Sequence, residues 1–524
     1  MSLHVGAVRR NLAAMNIMRR YSGLLSYVAL ALACAALYLP TLRFDFVGDA
    51  EGVILTNEYV QDLRNLADVA TLRVMSQDVV DNNRPVFLIS AMLDGALWGT
   101  RTLGYHLTNI MLHALATVLL FSFARRLIPG VSMWIPFFGA LLFAVHPLNS
   151  EAVAEISYRK DLMAAAGILA GLNLAAVYRP VFAFRNLLIA GACVACFFMA
   201  VGAKENGSAG PALLIGYWLL FRRQEPRGGW IALCAVVTLT VVAFLVARFA
   251  LPPFPSVVFT EKPPRLGGSF LNTLLIQPRV WTFYLSRMVY PAGLCADYTS
   301  FSIRNLSLGV SLVTVLTVVA GQVFLSIRNR MACMGMAIFW LSLLPASNFI
   351  PLYRPMADRF LYLPMCGAGL MLAGLLAMAK WRTRTLAVAA MIVAGCLAVV
   401  AFQRETVWRD SLTLWNNTAA TNPFSSMAAN NLGWALLDAG RPGEALQAAE
   451  RCIALTRSEY ADPLALKAIA LDQLGRVADA DAAYRKAVEL DDRYRRPDSL
   501  VKALVFEPRN ARQLEIIARR QEKR

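Results

Sequence analysis

Long apolar runs are the feature that most constrains how this chain of 524 residues can fold. The first run, Gly23–Pro40, is followed by many others. A helix needs about 20 mainly apolar residues to cross a bilayer. The chain is 57% hydrophobic and 16% charged, against roughly 45–50% apolar residues in soluble domains. We therefore predict an all-α polytopic membrane protein. The first run lacks a small-residue cleavage pattern, so it is predicted to be retained.

The charges around the runs predict their orientation. Basic residues before the first run, including Arg19 and Arg20, place the N-terminus in the cytoplasm. The same bias explains the net charge of +17 better than nucleic-acid binding does. An odd number of spans, eleven, then places the C-terminal region on the opposite side. The predicted spans are 23–40, 105–124, 133–148, 162–178, 186–203, 207–221, 229–248, 307–326, 332–350, 360–379 and 386–402.

One further segment, 274–291, carries Arg279 and Arg287. It is predicted to be a re-entrant or interfacial element and not a span. A shorter run, Val86–Trp98, is predicted to form an amphipathic helix lying on the membrane. The loops on the outer side are then 41–104, 149–161, 249–306 and 351–359.

The composition changes after Gln403, where charge rises and a helical repeat begins. Matching leucine, glycine and alanine positions recur at a spacing typical of tetratricopeptide repeats. These positions are Leu436, Gly440 and Ala445 and, 35 residues later, Leu471, Gly475 and Ala480. A degenerate repeat around Trp408–Pro423 and a basic capping helix in 493–524 are also predicted. The chain therefore divides into a membrane domain, 1–403, and a tetratricopeptide-like helical domain, 404–524.

The acidic loop after the first run holds the leading catalytic candidates. Asp49 and Glu51 lie just outside the membrane, where a general base could deprotonate an acceptor hydroxyl. Asp45 is in the same loop and is assigned a structural role. The alternative for the two candidates is a helix cap or a loop salt bridge.

Polar residues also gather at the outer ends of several helices. Arg84 precedes the short amphipathic helix, and His106, Asn109 and His113 share one helix face at i, i+3 and i+7. Such intramembrane polar groups often mark function, but interhelical hydrogen bonding is an equal alternative. Two histidines without a third ligand do not predict a metal site.

Cations on the outer side contradict the positive-inside rule and predict an anionic ligand such as a lipid phosphate. Acidic and histidine side chains accompany them, so a structural charge network is the alternative. The candidate phosphate-binding cations are Arg159, Lys160, Lys204, Arg354 and Arg359. Their predicted supporting residues are His146, Glu151, Asp161, Glu205 and Asp358.

With these motifs in order, the chain resembles the transmembrane-and-tetratricopeptide (TMTC-type) protein O-mannosyltransferases of the GT-C glycosyltransferase superfamily. The composition is also typical of a bacterial chain. The motifs that carry the resemblance are Phe46-Val47-Gly48-Asp49, Asn82-Asn83-Arg84-Pro85, Gly104 to Asn109 with His113, His146 to Glu151, Arg159-Lys160-Asp161, Lys204-Glu205-Asn206-Gly207, Pro345 to Asn348, Asp358-Arg359 to Pro364, Trp408 and Trp415.

The resemblance implies inverting transfer of a mannose-like sugar from a polyprenyl phosphate to protein Ser/Thr hydroxyls on the non-cytoplasmic face. It implies a periplasmic repeat domain in bacteria, or a lumenal one in the endoplasmic reticulum. Asp49 is the expected base. The family usually has a second acid at the next position, but this chain has Ala50 there and Glu51 one residue later. The base therefore stays open between Asp49 and Glu51.

The expected partners are the lipid-linked sugar, membrane lipid and an acceptor polypeptide held by the repeats, and not nucleic acid. No cofactor or metal is expected, because cations can stabilise a monophosphate leaving group. Two alternatives stay open: a non-catalytic membrane-anchored repeat scaffold, and an enzyme that glycosylates a lipid or glycan. A transporter is less consistent, because its polar residues would lie near the bilayer midplane.

Overall fold

A computed structural model describes residues 23–77, 79–250, 265–379, 383–457, 459–496 and 508–522. The N-terminal basic segment, the Lys380 and Arg382 turn and parts of the 249–306 loop and the C-terminal tail lie outside these ranges. Within them the chain is helical and has no β-strand, as predicted. The helices of the membrane domain are α1 Gly23–Arg43, α2 Pro85–Trp98, α3 Thr102–Leu127, α4 Trp134–Val145, α5 Arg159–Val177, α6 Phe184–Ala203, α7 Gly210–Tyr217, α8 Arg227–Ala250, α9 Phe270–Val289, α10 Leu308–Arg328, α11 Arg330–Leu343, α12 Tyr362–Met378 and α13 Thr383–Glu405.

Eight helices in the described residues are long and apolar enough to cross a membrane. They correspond to eight of the eleven predicted spans and confirm a multi-pass membrane protein. The predicted span 133–148 is α4 followed by Pro147–Ala154, a pair bent by 52° that may be counted as a ninth. The bend falls where Pro147 starts a new 3₁₀ turn, since proline cannot donate the hydrogen bond that would continue the helix.

The other two predicted spans are shorter helices. The span 207–221 consists of α7 and a π-helical turn, Trp218–Arg222. The span 332–350 holds α11, which ends in a 3₁₀ turn at Pro345. By length and composition, eight or nine of the eleven predicted spans meet the criteria within the described residues. The segment 274–291 is a continuous helix, α9, and is not among the candidate spans.

Small residues let neighbouring membrane helices approach closely. At Gly335 of α11 and Gly367 of α12, a side chain on either residue would meet the backbone of the other helix. Small residues are common at such contacts because lipid supplies no hydrophobic drive for helices to associate. Buried leucine, phenylalanine and alanine side chains of α3, α4, α5 and α12 form the main core below the outer helix ends.

The C-terminal region continues directly from α13 as antiparallel helix pairs. Gly440 and Gly475, 35 residues apart, have φ angles of 70° and 76° and turn the first helix of each pair into the second. Glycine adopts this left-handed conformation without strain. The predicted capping helix packs on the last pair through Ala511, Leu514 and Ile517. The helices are α14 Ser411–Thr421, α15 Ser426–Asp438, α16 Pro442–Thr456, α17 Asp462–Gln473, α18 Val477–Leu490 and α19 Pro508–Glu522.

Candidate active site

A cavity of about 950 Å³ lies where loops and ends of the membrane-domain helices meet the helices of the repeat domain. Eight of the sixteen residues predicted to form the site line it. These eight are Asp49, Glu51, Arg84, Lys160, Lys204, Glu205, Arg354 and Arg359. The fold therefore brings together loops that are more than 300 residues apart in the sequence.

Asp49 lies in the loop after α1 and contacts one cationic side chain and one hydroxyl group. Its Oδ1 accepts a hydrogen bond of 3.3 Å from Arg354, and its Oδ2 accepts one of 3.0 Å from the hydroxyl of Tyr158. Burial would raise the pKa of Asp49, but Arg354, Arg359 and Lys160 outweigh burial and lower it below its ordinary value. Asp49 is therefore ionised at neutral pH, as a general base must be, and is positioned by two contacts.

Glu51 lies two residues further on, at the start of a π-helical turn, Glu51–Leu55. Its Oε1 accepts a hydrogen bond of 2.7 Å from Ser411, the first residue of α14. Glu51 therefore joins the acidic loop to the repeat domain in addition to lining the cavity. Asp49 is in direct contact with one of the cavity's cations, Arg354.

A network of charged side chains, formed by Lys160, Arg84 and Asp81, lies along the cavity wall. Lys160 donates a hydrogen bond of 2.8 Å to Asp81, and Arg84 pairs with the same carboxylate. Burial acts to raise the pKa of Asp81, but the two cations lower it to about 2. Arg84 also donates to Glu205 at 2.8 Å, and Arg248 pairs with that carboxylate too. Asp81 was not among the predicted site residues, although it immediately precedes the Asn82-Asn83-Arg84-Pro85 motif.

Arg359 and Lys204 complete the basic side of the cavity. Arg359 pairs with the buried carboxylate of Glu151, and its backbone N–H donates to the same residue at 2.9 Å. Lys204 donates to both oxygens of Asp161, at 2.6 and 2.5 Å. Glu151 and Asp161 do not line the cavity but hold these cations from behind, as supporting residues would.

Tyr158 was not predicted as a site residue, yet it contacts both the carboxylate of Asp49 and the guanidinium of Arg359. Its hydroxyl donates to Asp49, and the guanidinium of Arg359 lies 4.0 Å from the centre of its ring. Glu155 accepts a hydrogen bond of 2.7 Å from the backbone of Tyr158. Burial and the nearby charge of Asp49 raise the pKa of Glu155 to about 8. In the sequence, only the motif Tyr158-Arg159-Lys160-Asp161 indicated that this turn belongs to the site.

Arg159 does not line the cavity, so the structure gives a different role from the predicted contact with the donor phosphate. Its side chain is fully buried and donates to Asn109 at 3.0 Å, to Ser90 at 3.1 Å and to Asp94 at 2.5 Å. Its remaining nitrogen donates to the carbonyl of Tyr105 at 2.9 Å. All three of its guanidinium nitrogens donate within the protein, because Arg159 faces α2 and α3 while Lys160 faces the cavity.

The polar helix-face residues are also away from the cavity. Asn109 bonds to Arg159 and to backbone carbonyls of the 153–155 turn, and His106 is buried beside Phe44. His113 contacts the hydroxyl of Tyr362 at 2.7 Å and the carbonyl of Ala144 at 3.0 Å. These contacts support the interhelical alternative for this face.

Two further supporting residues lie at helix junctions. His146 contacts the carbonyl of Met288 at 3.0 Å and so joins the bend after α4 to α9. Asp358 accepts a hydrogen bond of 2.8 Å from Tyr298 and lies 3.7 Å from Arg404. Neither residue lines the cavity.

The opposite wall of the cavity is built by the repeat domain. Tryptophan, asparagine and aspartate side chains face the charges of the membrane domain there. The polar and aromatic residues of this wall are Ser411, Trp415, Asn430, Asn431, Trp434, Asp438, Asp462 and Asn510. Across the described residues, no group of three or more His, Cys, Asp or Glu side chains is arranged to hold a metal ion.

Comparisons with known proteins identify relatives over most of the chain. A family model described as tetratricopeptide repeat matches residues 461–494. The chain is 26% identical to "Protein O-mannosyl-transferase F38B6.6" of Caenorhabditis elegans, over 77% of this chain and 59% of that protein. It is 27% identical to "Protein O-mannosyl-transferase Tmtc1" of Drosophila melanogaster, over 78% of this chain and 59% of that protein.

A solved structure also aligns with most of the chain. It is the crystal structure of ArnT from Cupriavidus metallidurans bound to undecaprenyl phosphate, with 17% identity, a TM-score of 0.39 and coverage of 88% of this chain and 79% of that one.

The fold and the repeat match define a multi-pass, all-helical membrane protein with a C-terminal tetratricopeptide region. Its similarity to proteins named TMTC-type O-mannosyl-transferases confirms the resemblance predicted from the motifs. The chain spans 59% of the length of the first two of these relatives.

Proposed function

We propose that this protein is an integral-membrane glycosyltransferase that moves a mannose-like sugar from a polyprenyl phosphate to Ser/Thr hydroxyls of polypeptides. One observation carries this proposal. A single cavity holds an ionised aspartate, a set of cations beside it and a wall of tetratricopeptide helices facing both. These are the groups that a base, a phosphate leaving group and a polypeptide acceptor require. The names of the relatives support mannose as the sugar class.

In this proposal Asp49 is the general base. The acceptor hydroxyl oxygen attacks the anomeric carbon from the face opposite the phosphate, and its proton passes to Asp49. The bond between the anomeric carbon and the phosphate oxygen breaks, and the electron pair stays on that oxygen to give polyprenyl phosphate. Such a displacement inverts the anomeric configuration. General-base catalysis of this kind contributes about 10²- to 10⁴-fold to a rate.

In this proposal, the cations of the cavity stabilise the leaving phosphate. Arg354, Arg359, Lys160 and Lys204 all line the cavity, and each already pairs with a carboxylate. These pairs fix the cations in place before the donor binds, which is the condition for effective electrostatic stabilisation. The Arg354–Asp49 contact also places the base next to the phosphate site. A monophosphate donor then needs no metal ion in this scheme.

The proposal places the cavity on the non-cytoplasmic face, in the periplasm of a bacterium or the lumen of the endoplasmic reticulum. The basic turns of the sequence support this orientation. Reporter fusions at about residue 420 test it. Reporters that are active only in the cytoplasm would overturn it.

The function is tested with the purified full chain, a polyprenyl-phosphate mannose and a Ser/Thr peptide, with transfer measured by mass spectrometry. Asp49→Asn is expected to reduce transfer by about 10²- to 10⁴-fold while the protein still binds the donor. Asp45→Asn, in an exposed residue of the same loop, is the matched control and should keep full activity. Inactive Glu51→Gln with active Asp49→Asn would make Glu51 the base. No transfer by the unaltered chain would overturn the proposal.

A second measurement uses cells. Proteins exported with and without this chain are compared by mass spectrometry, and loss of a hexose modification on Ser or Thr is expected. A hexose lost only from lipids or glycans would instead support the alternative acceptor class.

A further inference from the structure

The two walls of the cavity differ in the charged residues that line them. All of the Lys and Arg side chains that line it, Arg84, Lys160, Lys204, Arg354 and Arg359, come from the membrane domain. Among the described residues after 404, those that line it include two aspartates and no cation. Arg509 acts electrostatically on Asp438 but does not line the cavity. The membrane side also contributes Asp49, Glu51, Asp81, Glu205 and Asp297, so it carries both signs of charge, whereas the described repeat side is acidic.

The repeat wall is also rich in side-chain amides. Asn430, Asn431 and Asn510 face the cavity, and the Oδ1 atom of Asn430 is buried without a hydrogen-bond partner. A carboxamide offers both a donor and an acceptor, as a peptide group does. An acceptor oxygen without a partner costs free energy until a donor reaches it. Backbone N–H groups of an extended peptide are suitable donors.

Internal contacts fix part of this wall and leave one aspartate available. Asp462 accepts hydrogen bonds from Asn430, Trp434 and Tyr494, so it holds the wall together. Asp438 accepts one hydrogen bond, of 3.2 Å, from Asn510, and it is exposed at the end of α15. Asp438 is therefore the repeat-side carboxylate that a bound cation can reach.

We infer that the repeat wall selects acceptor segments in which a lysine or arginine lies near the modified serine or threonine. The segment lies extended against Asn430, Asn431 and Trp434, its hydroxyl faces Asp49, and its basic side chain faces Asp438. Asp438 also disfavours acidic segments, because like charges repel. This inference rests on the proposed function for the identity of the acceptor.

Peptide binding to the full chain in nanodiscs, measured by fluorescence anisotropy without donor, tests the inference separately from catalysis. Three peptides share one serine and carry lysine, glutamine or glutamate at the flanking positions. The lysine peptide is expected to bind at least about tenfold more tightly than the glutamate peptide at low salt, with a smaller ratio at high salt because ions screen exposed charges.

Asp438→Lys should invert this preference. Asp479→Lys is the matched control. Asp479 lies in α18, pairs with Arg476 and does not line the cavity, so this change should leave the peptide preference unchanged. Asn431→Ala should weaken all three peptides equally, since it removes backbone contacts and no charge. Equal binding of the three peptides, or an unchanged preference in Asp438→Lys, would overturn the inference.

Adding donor separates the two proposals. Transfer to all three peptides at equal rates would leave the proposed function intact and remove the selectivity. Charge-selective binding without any transfer would keep the selectivity and remove the proposed function.

Discussion

Two polar clusters lie at the outer ends of the same membrane helices, and adjacent residues at the start of α5 divide between them. Arg159 belongs to a sealed cluster with Asp94, Asn109 and Ser90. Lys160 belongs to the cavity cluster with Asp81. Both clusters contain cations paired with carboxylates, and both cations are buried. Lys160 and Asp81 line the cavity and Arg159 does not, so the second cluster is the one placed to admit an anionic ligand there.

The comparison shows that a charged residue in a membrane protein does not by itself mark a ligand site. Removing one partner from a buried ion pair leaves an uncompensated charge and is strongly destabilising. Where the pair borders a cavity, a ligand's charge can join it. The sealed cluster is therefore expected to control folding, and the cavity cluster to control donor use.

The largest effect is expected from Arg159→Met. The change leaves Asp94 buried without its cation and should cost about 3–5 kcal/mol of stability. Thermal unfolding of the purified protein measures this, and Arg159→Met combined with Asp94→Leu should recover much of the loss. The folded fraction should keep its donor affinity. A stable Arg159→Met protein that no longer binds donor would place Arg159 in the donor site after all.

Arg359→Ala comes next. It removes a cation that would contact the leaving phosphate, a loss of about 2–5 kcal/mol for a desolvated charge pair, or roughly 30- to 4,000-fold in donor affinity. Arg359→Lys should recover only part, because lysine cannot reproduce a two-pronged contact. Arg409→Ala, an exposed arginine of the repeat domain, is the control. Unchanged donor affinity in Arg359→Ala would mean that the phosphate lies elsewhere.

Arg354→Met should alter the pH dependence of transfer. The pKa of Asp49 is lowered in the folded protein, so the active carboxylate persists through neutral pH and is lost only as pH falls through that lowered pKa. Without Arg354 the pKa should rise by about 1–3 units, moving the acidic limb of the kcat profile to higher pH. If the limb stays in place, Asp49 is not the titrating base.

Tyr158→Phe should have the smallest effect. It removes one hydrogen bond to Asp49 but keeps the ring beside Arg359. One such bond is worth about 0.5–1.5 kcal/mol, so the acidic limb should shift upward by about one pH unit or less. Donor affinity should stay the same. A large loss of donor affinity with no change in the pH profile would contradict this role.

Several parts of the fold follow from local patterns in the sequence. Apolar run length predicted eleven spans, and eight of them are candidate spans in the described residues. The 35-residue spacing predicted helix pairs that the structure contains, with Gly440 and Gly475 at matching turns. At 133–148 and 332–350 the helices are interrupted, because Pro147 and Pro345 begin new turns inside apolar runs. Hydropathy does not register such breaks, because a proline changes backbone hydrogen bonding and not the apolar character of a run.

For the candidate site, the sequence determined which residue types are available in the loops and at the helix ends: carboxylates near 49–51 and cations near 160, 204, 354 and 359. Tertiary structure alone decided which of them face the cavity. Arg159 and Lys160 are neighbours in the chain, but successive residues on a helix point about 100° apart. With α5 packed as it is, Arg159 therefore faces other helices and Lys160 faces the cavity. The pairing of Arg354 with Asp49, 305 positions away, likewise depends on how α1 and the 351–359 loop pack, which no local pattern records.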